Sequence, residues 1–261
     1  MENSDMADET KKKSKKKSPS KPEIHVGTSG WTYDDWQTAF YPKKVKGSDR
    51  LVYYAEHFDT VEVNASYYRT PTQTMIDAWN RRLRKNFHLV LKGNRMVTHR
   101  KKLKGHEKAL DFFLKRSLQL DQLKIILWQL PPSLHKDVER LDDFLTGLPK
   151  DVRHAVEFRD PSWWDEEVKE CLEQHKTAFV TISHPNLPDV IWPTTDFIYL
   201  RFHGRGQNLY QWDYSKKELE KWAERLRSYL DGRRLYAFFN NDYHAHAPKN
   251  AKTFRALLAD E

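Results

Sequence analysis

Phe197-Ile-Tyr-Leu-Arg-Phe-His203 is an apolar run that carries an arginine near its end and closes on a histidine. It is one of eight runs that end in a polar or charged residue, the others being residues 24–28, 60–64, 88–92, 124–129, 154–159, 178–183 and 235–241. Most are separated by segments with helical periodicity, and strands that alternate with helices form parallel βαβ units. Eight such units in ~220 residues predict an α/β fold, a single TIM-like (β/α)8 barrel with a parallel sheet.

The segments between the runs support this barrel, with one exception. Ser48 and Thr72 each precede a segment whose apolar residues share one helical face, and Ser215 with Glu218 forms a capping-box pattern. Residues 184–196 instead contain three prolines and no helical period. We therefore expect a proline-rich loop in place of the sixth helix.

The positive charge of the chain is densest at its N-terminus. Lysine and arginine number 45 against 37 aspartates and glutamates, a net charge of +8, and residues 11–21 read KKKSKKKSPSK. That segment has no apolar residue to bury, so we predict a disordered Lys-rich tail over residues 1–22 and a barrel domain over residues 23–261. The tail is either a solubilising segment or, together with a basic barrel mouth, a surface that attracts nucleic acid.

Composition also restricts the compartment. The sequence contains no stretch of about 18 apolar residues and no apolar core of a signal peptide. Cys171 is the only cysteine, and a single cysteine forms no internal disulfide, which suits a reducing environment. We therefore expect a cytoplasmic protein without a membrane partner, and a packing role for Cys171.

Polar side chains gather where the predicted strands end, and in this fold catalytic residues lie at that end. Several of them stand two residues apart, so they point the same way from their strand. The candidate catalytic residues are Glu62, Glu157 and His203. The candidate ligand-binding residues are Asn64, Tyr68, Lys92, Gln129, Arg159, Trp163, Arg201, Asn240 and Asn241.

The cations of this set indicate an anionic ligand. Arginine binds carboxylate and phosphate groups through paired hydrogen bonds. We therefore expect Arg159, Arg201 and Lys92 to hold a small, phosphate-bearing or nucleic-acid-related substrate.

The carboxylates and the histidine indicate chemistry. His203 with Glu62 or Glu157 would do acid–base work or hold a divalent metal that activates water, as in a hydrolase-type enzyme. One alternative is a glycoside hydrolase that uses Glu62 and Glu157 as its carboxylate pair. Another is a protein that binds an anion or another ligand without turnover, because this barrel hosts many functions.

Several of these segments resemble the YecE-like family, which is known only as a domain of unknown function. The matching segments include Gly27-Thr-Ser-Gly-Trp31, Val61-Glu-Val-Asn64, Glu157-Phe-Arg159, Pro161-Ser-Trp163 and Phe239-Asn-Asn241. The resemblance covers residues 24–255 and leaves the Lys-rich tail outside. It implies a TIM-like barrel, in agreement with the strand count, and it implies no activity, since none is established for the family.

Overall fold

The computed structural model describes residues 22–259, so the tail predicted over residues 1–22 lies outside the described residues except for Pro22. The strands are β1 (Ile24–Thr28), β2 (Thr60–Val63), β3 (His88–Lys92), β4 (Leu123–Gln129), β5 (Arg153–Glu157), β6 (Ala178–Ser183), β7 (Phe197–Phe202) and β8 (Arg234–Phe239). The helices are α1 (Asp49–His57), α2 (Ala65–Tyr68), α3 (Gln73–Arg82), α4 (Glu107–Ser117), α5 (Val138–Thr146), α6 (Glu166–Gln174), α7 (Lys216–Arg227) and α8 (His246–Ala259).

The strands form one parallel sheet that curls into a barrel. Hydrogen-bonded neighbours follow the order β1-β8-β7-β6-β5-β4-β3-β2, and every pairing in that order is parallel. A parallel bridge between Ser29 and Glu62 joins the two ends of the sheet. The predicted (β/α)8 barrel is therefore confirmed, and a candidate site residue takes part in its closure.

Alternation along the strands divides the apolar core into two layers. One layer packs strands against helices and includes Leu89 and Ile126. The other fills the barrel interior and includes Val90, Leu127 and Tyr199. Side chains two residues apart point the same way. The polar residues at the strand ends therefore face the barrel interior together with the apolar residues two positions before them.

The loop predicted in place of a helix after the sixth strand is confirmed, since residues 184–196, which connect β6 to β7, contain no helix. Thr194 fixes this loop to the start of β6. Its hydroxyl accepts a hydrogen bond from the amide of Phe179 at 2.9 Å and donates one to the carbonyl of Thr177 at 2.7 Å. The loop thus lies against the sheet without a helix of its own.

The predicted helix starts differ in their capping chemistry. The Thr72 hydroxyl accepts from the amide of Met75, and Ser215 and Glu218 form the full reciprocal capping box of α7. Ser48 precedes α1 as expected, but its side chain makes no capping hydrogen bond. No helix within residues 22–259 has the length and apolar character needed to cross a membrane.

Candidate functional site

Arg201 is the centre of a polar network inside the upper end of the barrel. Its Nε and Nη2 donate to the carboxylate of Glu62 at distances of 2.5–3.1 Å, and its Nη1 donates to Glu157 Oε2 at 2.5 Å. All three side chains are fully buried. One guanidinium therefore bridges carboxylates from β2 and β5, which are not neighbours in the sheet.

Both carboxylate oxygens of Glu62 accept further hydrogen bonds from hydroxyl groups. The Ser29 hydroxyl donates to Oε1 at 2.7 Å, and the Tyr199 hydroxyl donates to Oε2 at 2.6 Å. Burial, followed by the negative charge of Glu62, raises the pKa of Tyr199 well above its usual value, so Tyr199 stays a donor. Buried charges are tolerated when they are paired and hydrogen-bonded in this way.

Glu157 connects this pair to the barrel mouth. Its second oxygen accepts a hydrogen bond from Arg159 Nε, and Arg159 Nη2 donates to His203 Nε2 at 3.0 Å. Burial alone would raise the pKa of Glu157, but the guanidinium groups of Arg159 and Arg201 hold it well below its usual value. Glu157 is therefore an ionised group that positions Arg159, whose side chain keeps 11% of its surface exposed.

His203 is a neutral acceptor rather than a charged group. Burial and the adjacent Arg159 lower its pKa well below the usual value. Guanidinium nitrogens of Arg159 and Arg201 lie 3.0 and 3.3 Å from its Nε2, and the side-chain amide nitrogen of Asn240 lies 3.2 Å from its Nδ1. Asn240 in turn accepts from the amide of Asn64 at 3.2 Å. The network thus extends from β7 to the ends of β8 and β2.

Lys92 at the end of β3 differs from these groups because no carboxylate among the described residues lies within 4.0 Å of its Nζ. Its Nζ lies 4.6 Å from the ring centre of Tyr67, which packs edge-on against the ring of His99 at 5.0 Å. Burial, followed by the charge of Arg201, lowers the pKa of Lys92 to about 7. Lys92 is thus an amine that is half-protonated near neutral pH.

His99 reaches this position through an irregular turn. Residues Met96–Arg100 form a single π-helical turn, a feature frequently found at functional sites. The His99 Nδ1 lies 2.9 Å from the Thr98 hydroxyl. Burial and the nearby Lys92 lower the pKa of His99 to about 4, so its ring is neutral.

Glu62, Glu157 and His203, which we predicted could hold a divalent metal, are not arranged to bind a metal ion. Glu62 and Glu157 already share a guanidinium cation, and His203 Nε2 faces two further N–H donors. A cation placed among these groups would meet Arg201 at close range. We therefore derive no step through a metal at the strand ends. Elsewhere in residues 22–259, ligand-type atoms lie within 4.8 Å of one another in two groups, Glu23 with His25 and His88 at the opposite end of the barrel, and Asp142 with Cys171 and His175 between α5 and α6.

The other candidate residues divide between mouth and core. Gln129 ends β4 beside Glu157 and remains partly exposed, and Tyr68 is 65% exposed. Trp163 is fully buried, stacks on Phe158 and donates from its indole nitrogen to the carbonyl of Leu134. Its ring therefore has a packing role and offers no face to a ligand.

Asn241 and Arg201 also lack access to a ligand. Asn241 is buried, and its amide donates to the carbonyl of Trp212, which precedes α7, and to the side chain of Asn250 in α8. The sequence predicts that Arg201 holds an anion directly. In the structure its guanidinium is fully buried and shared by two carboxylates, which leaves no room for an anion beside it. We therefore assign Arg201 the role of a positioning residue.

Sequence reasoning missed Ser29, Tyr199 and His99 as parts of the site. Tyr199 stands two residues before Arg201, so strand alternation alone places it in the same inward row. Ser29 lies beyond β1, and His99 depends on the π-helical turn, so neither follows from a strand pattern.

Taken together, a closed parallel barrel with a polar network at the carboxyl ends of its strands defines a TIM-barrel protein. The chain belongs to the family described as "Protein of unknown function DUF72", whose model matches residues 25–261. It is 24% identical to UPF0759 protein YunF of Bacillus subtilis over 90% of this chain and 94% of that protein. It is 26% identical to UPF0759 protein YecE of Escherichia coli K12 over 54% of this chain and 50% of that protein. The crystal structure of the DUF72 family protein TM1631 from Thermotoga maritima superposes with a TM-score of 0.79 at 32% identity, covering 91% of this chain and all of that one.

Proposed function

We propose that the protein is an enzyme that binds a small anionic, phosphate-bearing substrate at the carboxyl end of its barrel, between Lys92 and Arg159. The observation that carries this proposal is the ammonium of Lys92, which no described carboxylate neutralises. The network beneath it balances its own charges, since Glu62 and Glu157 face Arg201 and Arg159. The cation of Lys92 is therefore available to a ligand.

The buried network would serve this ligand by preorganisation. Arg159 is held by Glu157 and His203, so its guanidinium needs little reorientation to receive a phosphate or carboxylate. We place the protein in the cytoplasm as part of the same proposal, because its single cysteine is buried and unpaired.

The pH dependence of binding tests the proposal. An anion stabilises the protonated form of Lys92, so binding at pH above 7 takes up a proton and affinity falls as the pH rises. In thermal unfolding with inorganic phosphate at ~100 times its dissociation constant, we expect a rise in Tm of about 5–10 °C at pH 6.5. Lys92→Met should remove most of that rise, whereas Lys221→Met, at an exposed position on α7, should keep it.

A Tm that ignores phosphate and organic phosphates at every pH would sink the proposal. Release of inorganic phosphate from a phosphomonoester would support a hydrolase-type reaction, and binding without turnover would support a binding protein. The binding protein is favoured by one observation: Glu62, Glu157 and His203 are all fully buried and tied into hydrogen bonds. The low pKa of Glu157 and the burial of both glutamates weigh against a glycoside hydrolase, which needs one protonated carboxyl at the cleft.

If the ligand is a nucleic acid, the binding affinity should depend strongly on salt concentration. Exposed cations at Arg100, Lys101 and Lys104 border the mouth. Binding through such residues releases counterions, so affinity would fall steeply with salt concentration. Weak salt dependence would assign the site to a small anion instead.

A further inference from the structure

The geometry points to Lys92 as an amine nucleophile that forms an imine with the carbonyl group of an anionic substrate, such as a 2-oxo acid or a phosphorylated aldehyde. This inference rests on the proposed anion site and names its substrate class. Arg159 would hold the anionic group, and Lys92 would meet the carbonyl carbon.

The surroundings of Lys92 suit a neutral amine. It is the last residue of β3, where side chains enter the barrel mouth, and its carbonyl is held by the Ser66 hydroxyl at 2.7 Å. The ring centre of Tyr67 lies 4.6 Å from Nζ, a contact that favours the ammonium, but no described carboxylate lies within ion-pair distance. A surface lysine with a salt-bridge partner would be locked in its charged, unreactive form.

The charged groups that face Lys92 act in opposite directions. Burial and the guanidinium groups of Arg201 and Arg159 favour the neutral amine, whereas Glu157 and Glu62 favour the ammonium. Their balance leaves a pKa of about 7, so about half of the molecules carry a neutral amine at pH 7. An ordinary lysine is neutral in only about 1 in 2,500 molecules at that pH.

The proposed step is balanced without an oxidant. The lone pair of Nζ attacks the carbonyl carbon, the π electrons move to oxygen, and the oxygen takes a proton to give a carbinolamine. The nitrogen then loses a proton, the hydroxyl takes one up and leaves as water, and the nitrogen lone pair forms the C=N bond of a protonated imine. The protons that the oxygen takes up and the proton that the nitrogen releases are exchanged with bulk water.

The test is reductive trapping on the intact protein. Protein is mixed with glyoxylate or with glyceraldehyde 3-phosphate at pH 7.5, reduced with borohydride, and digested for mass spectrometry. We expect modification of Lys92 to exceed that of any other lysine by at least about tenfold, with uncharged acetaldehyde reacting far less. The rate at Lys92 should be half-maximal near pH 7, whereas exposed lysines should gain reactivity only toward pH 10.

Two variants separate this inference from the proposed function. Lys92→Arg keeps the positive charge and forms no imine, so it should lose the adduct and retain the phosphate-dependent rise in Tm. Lys221→Arg, at an exposed position on α7, should retain both. If Lys92 is trapped no faster than exposed lysines while phosphate still raises Tm, the imine is refuted and the anion site stands. If neither effect is seen, both fall.

Discussion

Removing the Arg201 guanidinium should lower the free energy of unfolding, because it leaves a buried carboxylate without its cation. Arg201→Met leaves Glu62 without its cation, although Ser29 and Tyr199 still donate to it, while Glu157 keeps Arg159. Breaking a buried ion pair from one side costs about 3–5 kcal/mol. Holding one glutamate neutral at pH 7, when its pKa in the unfolded chain is ~4.3, costs about 3.7 kcal/mol. Both routes predict a loss near 4 kcal/mol in the free energy of unfolding.

The pH dependence makes this prediction specific. In the native protein the guanidinium groups keep the pKa of Glu157 low, so the network's stability is present above the unfolded pKa and is lost only as the pH falls through the folded pKa. In Arg201→Met the unpaired carboxyl has a raised pKa, so the variant regains stability as the pH falls. The difference between the two proteins should shrink from about 4 kcal/mol at pH 7 to about 1 kcal/mol at pH 5.

Urea unfolding monitored by tryptophan fluorescence at both pH values measures this difference. Arg205→Met is the matched control, because Arg205 pairs with Asp189 at an exposed position and should contribute less than about 1 kcal/mol. A loss below about 1 kcal/mol for Arg201→Met at pH 7, or a loss that does not shrink at pH 5, would refute the reasoning.

Three further changes test other parts of the structure, each by urea unfolding. Lys92→Met should stabilise the protein by about 4 kcal/mol at pH 6–7, the free energy that corresponds to lowering a lysine pKa from ~10.4 to about 7. The penalty is full below pH 7 and disappears as the pH rises toward the unfolded value. Gly93→Ala should destabilise by about 2–3 kcal/mol, because its Cβ would lie 2.2 Å from Trp128 Cε3. Ser215→Ala should cost about 1 kcal/mol by breaking the capping box with Glu218.

Each of these has a control at a comparable but unconstrained position. Lys101→Met should show no pH-dependent gain, Gly147→Ala meets no atom closer than 3.6 Å, and Ser228→Ala removes only an exposed hydroxyl at the end of α7. A gain for Lys92→Met that is equal at pH 6 and pH 10 would contradict the assigned pKa. Equal losses for the two glycine variants, or for the two serine variants, would contradict the contacts assigned to Gly93 and Ser215.

The sequence by itself determined the barrel and the row of residues that reaches its mouth. The continuous apolar run Phe197–Phe202 predicts a strand buried on both faces, and the two-residue period places Arg201 on the same face as Tyr199, because side chains alternate between the two faces of a strand. Three prolines likewise specify a loop before β7 without any tertiary information.

Only the tertiary structure decided what each of these side chains does. Arg201 meets Glu62 across 139 residues of chain, and that contact buries its charge inside the barrel. Trp163 likewise becomes core through its packing on Phe158, and Lys92 remains available because no described carboxylate reaches it. Burial, pairing and pKa depend on distances between strands that lie far apart in sequence, and a periodic pattern carries no information about those distances.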